Sequence, residues 1–381
     1  MSLVRSGGAP SGGTAVRGVR VQLVAPAELG RSEVERWRAL RAAHAAAGGT
    51  ASPFMAPEFT LATGRARPAA RVAVLWRDGE AVGFFPFERG PLGRGRAIGL
   101  GVSDCQGAIL APGVEAEITA RELLSACALS TWEFDNLEDG QTLFAAAVTE
   151  EFDSPVMDLA DGFAAYEERL LNRSPKFLKS TRAKERRLSR RVGDLRFVFD
   201  ERDPAMLRTL MEWKSAQYRR THRGDRFATD WIAGLVHDLH AGRDPDCAGV
   251  LSVLYAGGQP VSAHFGLRSR TVLACWFPAY DTRFARYSPG LVLHLRMAEA
   301  AAAAGVTTFD LGQGPAVYKD AFKTGELRVF AGAATRPGPG AVVSWLSREP
   351  SRLAHGYVRA RPRLAGFAQR TLVRVAKLRG H

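Results

Sequence analysis

Residues 271–314 read TVLACWFPAYDTRFARYSPGLVLHLRMAEAAAAAGVTTFDLGQG, and they constrain the fold more tightly than any other stretch. An apolar run of strand character comes first. Ser288, Pro289 and Gly290 then open a helix: the serine hydroxyl suits an N-cap, and proline at the first helical position loses no needed donor. Gly290 carries no side chain, so another molecule can approach the backbone there. The Ala-rich helix runs to Gly305, a residue type favoured where a helix ends in the left-handed region. Residues 306–311 read as a second strand. Strand, helix and strand form a βαβ unit whose helix N-terminus offers free amides to an anion, with Arg283 and Arg286 just upstream.

The rest of the chain supports a mixed α/β protein. At 381 residues, 46% hydrophobic and 24% charged, it has globular composition and length for two domains. No apolar run reaches membrane-spanning length, and residues 1–18 lack the apolar core of a signal peptide. The four cysteines, Cys105, Cys127, Cys247 and Cys275, show neither metal-ligand spacing nor a disulfide framework, which implies a reduced cytoplasmic setting and no metal.

The net charge of +13 is concentrated. Residues 173–191 carry +8 and residues 336–381 carry +9, leaving −4 for everything else. The first cluster lies on a helix expected from Ser174-Pro175, with Phe177, Thr181, Leu188 and Val192 on its inner face. The second belongs to a basic amphipathic tail broken by Pro350 and Pro362, a candidate for peripheral contact with anionic lipid.

Between these landmarks, residues 71–87 read as a hairpin around Asp78-Gly79, and residues 99–110 as glycine-broken strand or loop. A helix is expected from residue 114 to 130, then a strand from 131. Residues 153–162 read as the passage between halves. Helices at 163–171, 204–218 and 230–240 precede an antiparallel meander at 248–255, 259–268 and 271–277. A Pro-Gly corner, a helix and a strand containing Phe-Asp thus occur twice, over 113–135 and 290–310. The first copy opens with Glu115 and Glu117, which repel a phosphate, so anion binding is expected only in the second.

The strings YSPG, FDLGQG and YKDAFK, in this order of elements, resemble the GNAT acyltransferases, and within them the CelD/BcsL-type branch related to Fem-type aminoacyltransferases. The resemblance implies tandem GNAT-like domains, each a mixed, mostly antiparallel sheet flanked by helices: a degenerate one over 19–152 and an acyltransferase domain over 153–330; the linker and basic helical tail over 331–381 are read from the residues alone. It implies acyl-CoA as co-substrate and an amine of a small molecule or envelope sugar precursor as acceptor. Arg283, Arg286, Tyr287, Ser288, Pro289 and Gly290 correspond to the loop that holds the donor's pyrophosphate. Trp276 and Phe277 fall in the strand, extending to Ala279, whose backbone would meet the reacting carbonyl. The loop lacks the further glycines usual in the family, which keeps aminoacyl-tRNA open as donor, through Arg182, Arg186 and Arg190. A non-catalytic scaffold anchored by the tail is the third reading.

Chemistry adds four candidates. Asp310 can accept a proton or anchor the acceptor's ammonium, and Tyr318 can protonate a leaving thiolate. Lys319, with Lys323 beside it, can contact an anionic substrate, and His264 has the side chain best suited to proton transfer near neutrality. Each also has an ordinary structural reading: Asp310 as a cap or arginine partner, Tyr318 as core, His264 as a strand histidine. No Cys/His or Ser/His/Asp set is evident from the spacing.

Overall fold

The computed structural model describes residues 13–16, 18–314 and 316–338. The tail read from 331 onward therefore lies, from residue 339, outside the described residues. Fourteen strands are present among them: β1 (Thr14–Val16), β2 (Val19–Val24), β3 (Ala70–Arg77), β4 (Glu80–Arg89), β5 (Arg94–Ala97), β6 (Ile109–Leu110), β7 (Thr131–Glu138), β8 (Val148–Asp158), β9 (Leu195–Val198), β10 (Ala248–Ala256), β11 (Gln259–Arg268), β12 (Val272–Tyr280), β13 (Thr308–Asp310) and β14 (Gly325–Thr335). The helices are α1 (Arg31–Ala46), α2 (Pro57–Ala66), α3 (Val114–Glu117), α4 (Ala120–Ala126), α5 (Gly162–Arg173), α6 (Pro175–Val192), α7 (Pro204–Arg220), α8 (Asp230–Ala241), α9 (Pro289–Ala303) and α10 (Val317–Phe322).

All strands join one sheet in the order β1-β2-β3-β4-β5-β7-β14-β8-β13-β12-β11-β10-β9, with β6 on β4. Two similar halves stand back to back in it. Each is an antiparallel run ending in one parallel pair, β5 with β7 and β12 with β13. The two copies of the Pro-Gly, helix and Phe-Asp pattern supply the helices that precede β7 and β13. This is the tandem arrangement, mostly antiparallel and flanked by helices, that the resemblance implied.

Local chemistry explains the elements. Asp78 (φ 51°) and Gly79 (φ 84°) both adopt positive φ, the hairpin turn whose twist suits β3 and β4. α9 ends as expected, with Gly305 at φ 83° and the Val306 amide donating to Ala301 O at 2.9 Å. Both faces of α9 are covered, because Val292, Leu293, Leu295, Met297, Ala298 and Ala301 are all buried.

The structure corrects four expectations. The single helix over 114–130 is two, because Thr119 and Glu122 form a capping box that starts α4 afresh, with the Glu122 amide donating to Thr119 Oγ1 at 3.2 Å. Residues 153–158 are no passage between halves but part of β8, hydrogen-bonded on both edges. The inner face of α6 is wider than expected: Leu178 and Glu185 are buried beside Thr181 and Leu188, while Phe177 and Val192 are half-buried against the same core, Phe177 meeting Phe322 edge-on at 4.8 Å. Residues 331–335 are not linker either: they complete β14, which lies between β7 of the first half and β8. Gly332 sits at a register shift there, where an added Cβ would meet Ala147 O at 2.1 Å. Gly332→Ala is therefore expected to destabilise the fold by about 1–3 kcal/mol, read as a lower denaturation midpoint at unchanged m-value.

The core divides in a way that places the site. The α5, α6 and α9 side of the second half has its own apolar cluster, including Tyr166, Leu293 and Phe309. Its other side, with Phe265 and Phe277, is continuous with the core of the first half. Trp276 bridges them: its ring meets Phe54 at 5.7 Å, and its indole N–H donates to Val102 O at 2.7 Å.

Candidate active site

β12 and β13 pair over only three residues, ending at Ala274 and Asp310. Beyond them β12 continues to Tyr280 without that neighbour, and the two chains splay. A bulge between Phe265 and Gly266 leaves Trp276 unmatched on β12 and increases the divergence. Two cavities open along this edge. One, about 310 Å³, reaches the start of α9 and is lined by Ser262, Ala279, Ser288, Gly290, Leu291 and His294. The other, about 660 Å³, lies at the seam of the halves and includes Asp104, Lys214, Arg223, Arg226 and Lys319 in its walls. Both are lined by Gln217, Pro278 and Tyr318, so they meet there.

The corner at α9 is open. A Cβ added at Gly290 would find only Ser262 Oγ, at 3.9 Å. Ser288 does not cap as expected: it takes left-handed φ 48° and ψ 53°, and its side chain makes no cap hydrogen bond. The reason is the tight turn Thr282–Tyr287 just before it, which the Ser288 amide closes onto Ala285 O at 2.9 Å. Pro289 is at the first helical position and buried. Tyr287 is buried, with Arg286 (4.8 Å) and Arg187 of α6 (5.8 Å) near its ring. Arg283 is already paired, two of its guanidinium nitrogens lying 2.9 and 2.6 Å from Asp281 Oδ2, so it is less free to meet an anion than Arg286. Arg182 is likewise engaged, by Glu167 at 2.6 Å and Glu185 at 3.4 Å.

The chemical candidates separate. Tyr318 faces both cavities, and burial raises its phenol pKa, so it stays a proton donor. Lys319 lines the larger cavity and donates to Gly312 O and Gln313 O, each at 2.9 Å, which shapes the loop between β13 and α10. Asp310 lines neither cavity; its Oδ1 accepts from Ser154 Oγ at 2.7 Å and the Gly312 amide at 2.8 Å, a loop-fixing role. His264 is fully buried, lines neither cavity, and is held well below its ordinary pKa by that burial, which removes it as a base. Trp276 and Phe277 line the larger cavity rather than the α9 corner, with their rings committed to packing, Phe277 against Phe227 at 4.8 Å. Lys323 is tied to Asp320 and Glu326.

Two groups that the sequence left unmarked stand out. Asp104, in a loop of the first half, is raised to about 7, by burial first and then by the Asp310 carboxylate. Lys214 on α7 is lowered to about 8 by burial, and its ammonium donates to Pro278 O at 2.9 Å. A carboxylate and an amine moved towards neutrality in one cleft are suited to proton transfer. The only sequence signal for Lys214 was its place on the inward face of an amphipathic helix. Asp104 gave none.

Residues 175–320 match the family described as an acetyltransferase (GNAT) domain. The GNAT match thus runs from the start of α6 into α10 and contains the splayed strands and both cavities' second-half walls. No curated relative matches the chain. Among solved structures, the C-terminal domain of a protein named as a lysylphosphatidylglycerol synthetase from Agrobacterium fabrum aligns at TM-score 0.50 and 13% identity, covering 82% of this chain and 94% of that one. At that identity the likeness shows a common fold. FemX aligns at TM-score 0.48 and 14% identity over 69% and 87% of the two chains. A tandem GNAT protein from the clavulanic acid biosynthesis pathway aligns at 0.45 and 14% over 84% and 99%. Among the described residues, no helix is long and apolar enough to cross a membrane.

Proposed function

We propose that the chain is an N-acyltransferase that moves an acyl group from acyl-CoA to an amine. The observation that carries this reading is the meeting of the two cavities at Pro278, on the edge of β12 that β13 leaves uncovered. The donor's phosphates would lie against the first-turn amides of α9 near Gly290, with Arg286 adding charge. Its thioester would reach along β12. Pro278 has no N–H and the Trp276 amide is turned to His264 Nε2 at 3.3 Å, so neither is a free oxyanion donor in that run.

The acceptor would enter the larger cavity. Asp104 takes a proton from its ammonium, the freed amine attacks the thioester carbon, and the carbon–sulfur bond breaks. Tyr318 gives a proton to the departing thiolate and recovers one from the nitrogen of the new amide, which must lose its second proton. Lys214 positions the strand through Pro278 O, and Lys319 the opposite loop. Arg223 and Arg226 in the same walls favour an acceptor that carries an anionic group beside its amine, a class that includes envelope sugar precursors of the kind the CelD/BcsL resemblance implies.

Titration calorimetry with acetyl-CoA and longer acyl-CoAs is expected to show binding that Gln217, Tyr318 and Gly290 variants weaken. No heat with any of them up to millimolar concentration would overturn the reading. Aminoacyl-tRNA is the alternative donor, favoured by Arg187, which brings basic α6 beside the corner. Salt-sensitive retention of charged tRNA, with no response to acyl-CoA, would select it.

A further inference from the structure

We infer that His264, Cys275 and His294 form a buried metal site for a soft, thiophilic cation, univalent copper in preference to zinc. The three residues are 11 and 19 positions apart in the chain, which is why their spacing carries no ligand signature. Folding brings them together from β11, β12 and α9, at the point where β12 and β13 part. Their ligand atoms all lie within 4.8 Å of one another, with Cys275 Sγ 3.0 Å from His264 Nε2 and 3.8 Å from His294 Nε2. Bond lengths of about 2.3 Å to sulfur and about 2.05 Å to nitrogen put tetrahedral S···N distances near about 3.5 Å. The observed pair brackets that value.

The protons argue the same way. His294 Nδ1 lies 2.7 Å from Gly290 O, a carbonyl that can only accept, so Nδ1 carries the hydrogen and Nε2 presents a bare lone pair to the sulfur. A metal-ligating imidazole is oriented in this manner by its second nitrogen. His264 Nε2 accepts from the Trp276 amide, which makes it the unprotonated nitrogen as well, and its Nδ1 is buried without a partner. Two imidazole lone pairs and one thiol therefore converge, the His264 lone pair also accepting from the Trp276 amide that an ion would displace, beside Phe309 and Leu293 in an apolar core. Ligation through sulfur needs the thiolate, so an ion must displace the Cys275 proton on binding.

Charge selects the ion. Thiolate, two neutral imidazoles and a univalent cation sum to zero, whereas a divalent ion leaves one uncompensated charge in a buried core. Soft thiolate ligation favours copper(I) on the same grounds. Entry is provided for, since Cys275 lines the larger cavity and His294 the smaller. The inference does not rest on the acyltransferase reading. Through the His294–Gly290 hydrogen bond, such an ion would fix the first turn of α9 against the strand.

The test is competition titration of the full chain with copper(I) against a chromophoric chelator, with zinc and cobalt(II) in parallel. One ion per chain is expected, and cobalt should show a thiolate charge-transfer band in the near ultraviolet. Changes beyond the ligands alone cost about 10–100-fold in affinity, so Cys275→Ser and His294→Gln should each cost at least about a hundredfold. Cys127→Ser, in the first half, should leave binding unchanged. Circular dichroism checks that each variant is folded, and either ligand variant suffices if the other fails to fold. Absence of binding by the intact chain, or wild-type affinity in a folded ligand variant, would overturn the site. Tighter binding of zinc than of copper would overturn the charge argument.

Discussion

Asp104→Asn is expected to lower kcat by about 10²–10⁴-fold, the usual contribution of a positioned general base, while acyl-CoA binding is retained. Asparagine keeps the size and one acceptor oxygen but cannot take the acceptor's proton. The pH profile gives a readout that a packing defect would not. Burial and Asp310 hold the carboxyl at about 7, Asp135 adds to the rise, and Lys319 and Arg226 oppose it. Activity should therefore climb with pH through about 7 in the wild type, and that limb should vanish in the variant. Stability follows with the opposite slope. A folded pKa above the ordinary 3.8 means the native state holds its proton longer, so this contribution is complete below about 4 and is lost as pH rises towards about 7. Asp104→Asn should flatten that decline. A wild-type pH profile in the variant would remove Asp104 as the base.

Gly290→Glu should separate the donor site from the fold more sharply still. Gly290 lies in the first turn of α9 without positive φ, and an added Cβ meets nothing closer than 3.9 Å. A glutamate there replaces a poor helix former and complements the helix dipole, which should stabilise by roughly 0.5–1.5 kcal/mol. Towards a phosphate the same carboxylate is repulsive, and like charges in contact cost several kcal/mol, or about a hundredfold or more in affinity. Thermal melting and calorimetry should thus move in opposite directions. Undiminished acyl-CoA affinity in a stabilised Gly290→Glu protein would mean that the donor binds elsewhere.

Local rules made the framework readable. The Asp78-Gly79 turn, the meander ending at β12 and the span of α9 each follow from residues close together in the chain. The opened corner at Gly290 followed from the same kind of reasoning, though the left-handed Ser288 did not, because the turn before it imposes that conformation. What the chain order hid are the contacts between distant segments. Asp104 and Lys214 share a cleft only because the halves pack around Trp276, and a glycine-rich loop gives no hint of its tertiary neighbours. His264, Cys275 and His294 each read singly as core residues, and only the adjacency of β11, β12 and α9 joins them. Asp310 illustrates the reverse case: its chemistry invited a catalytic role, while two short hydrogen bonds commit it to the loop.

The position of β14 has a consequence for how the molecule is made. The strand that seals the gap between β7 and β8 is the last one described in chain order, so the two halves cannot finish docking until it has left the ribosome. A nascent chain halted short of residue 325 would leave β7 and the 148–156 stretch of β8 without the strand that both pair with. On the acyltransferase reading proposed above, a protein shortened by this one strand is expected to lose activity although its GNAT-matched segment is intact.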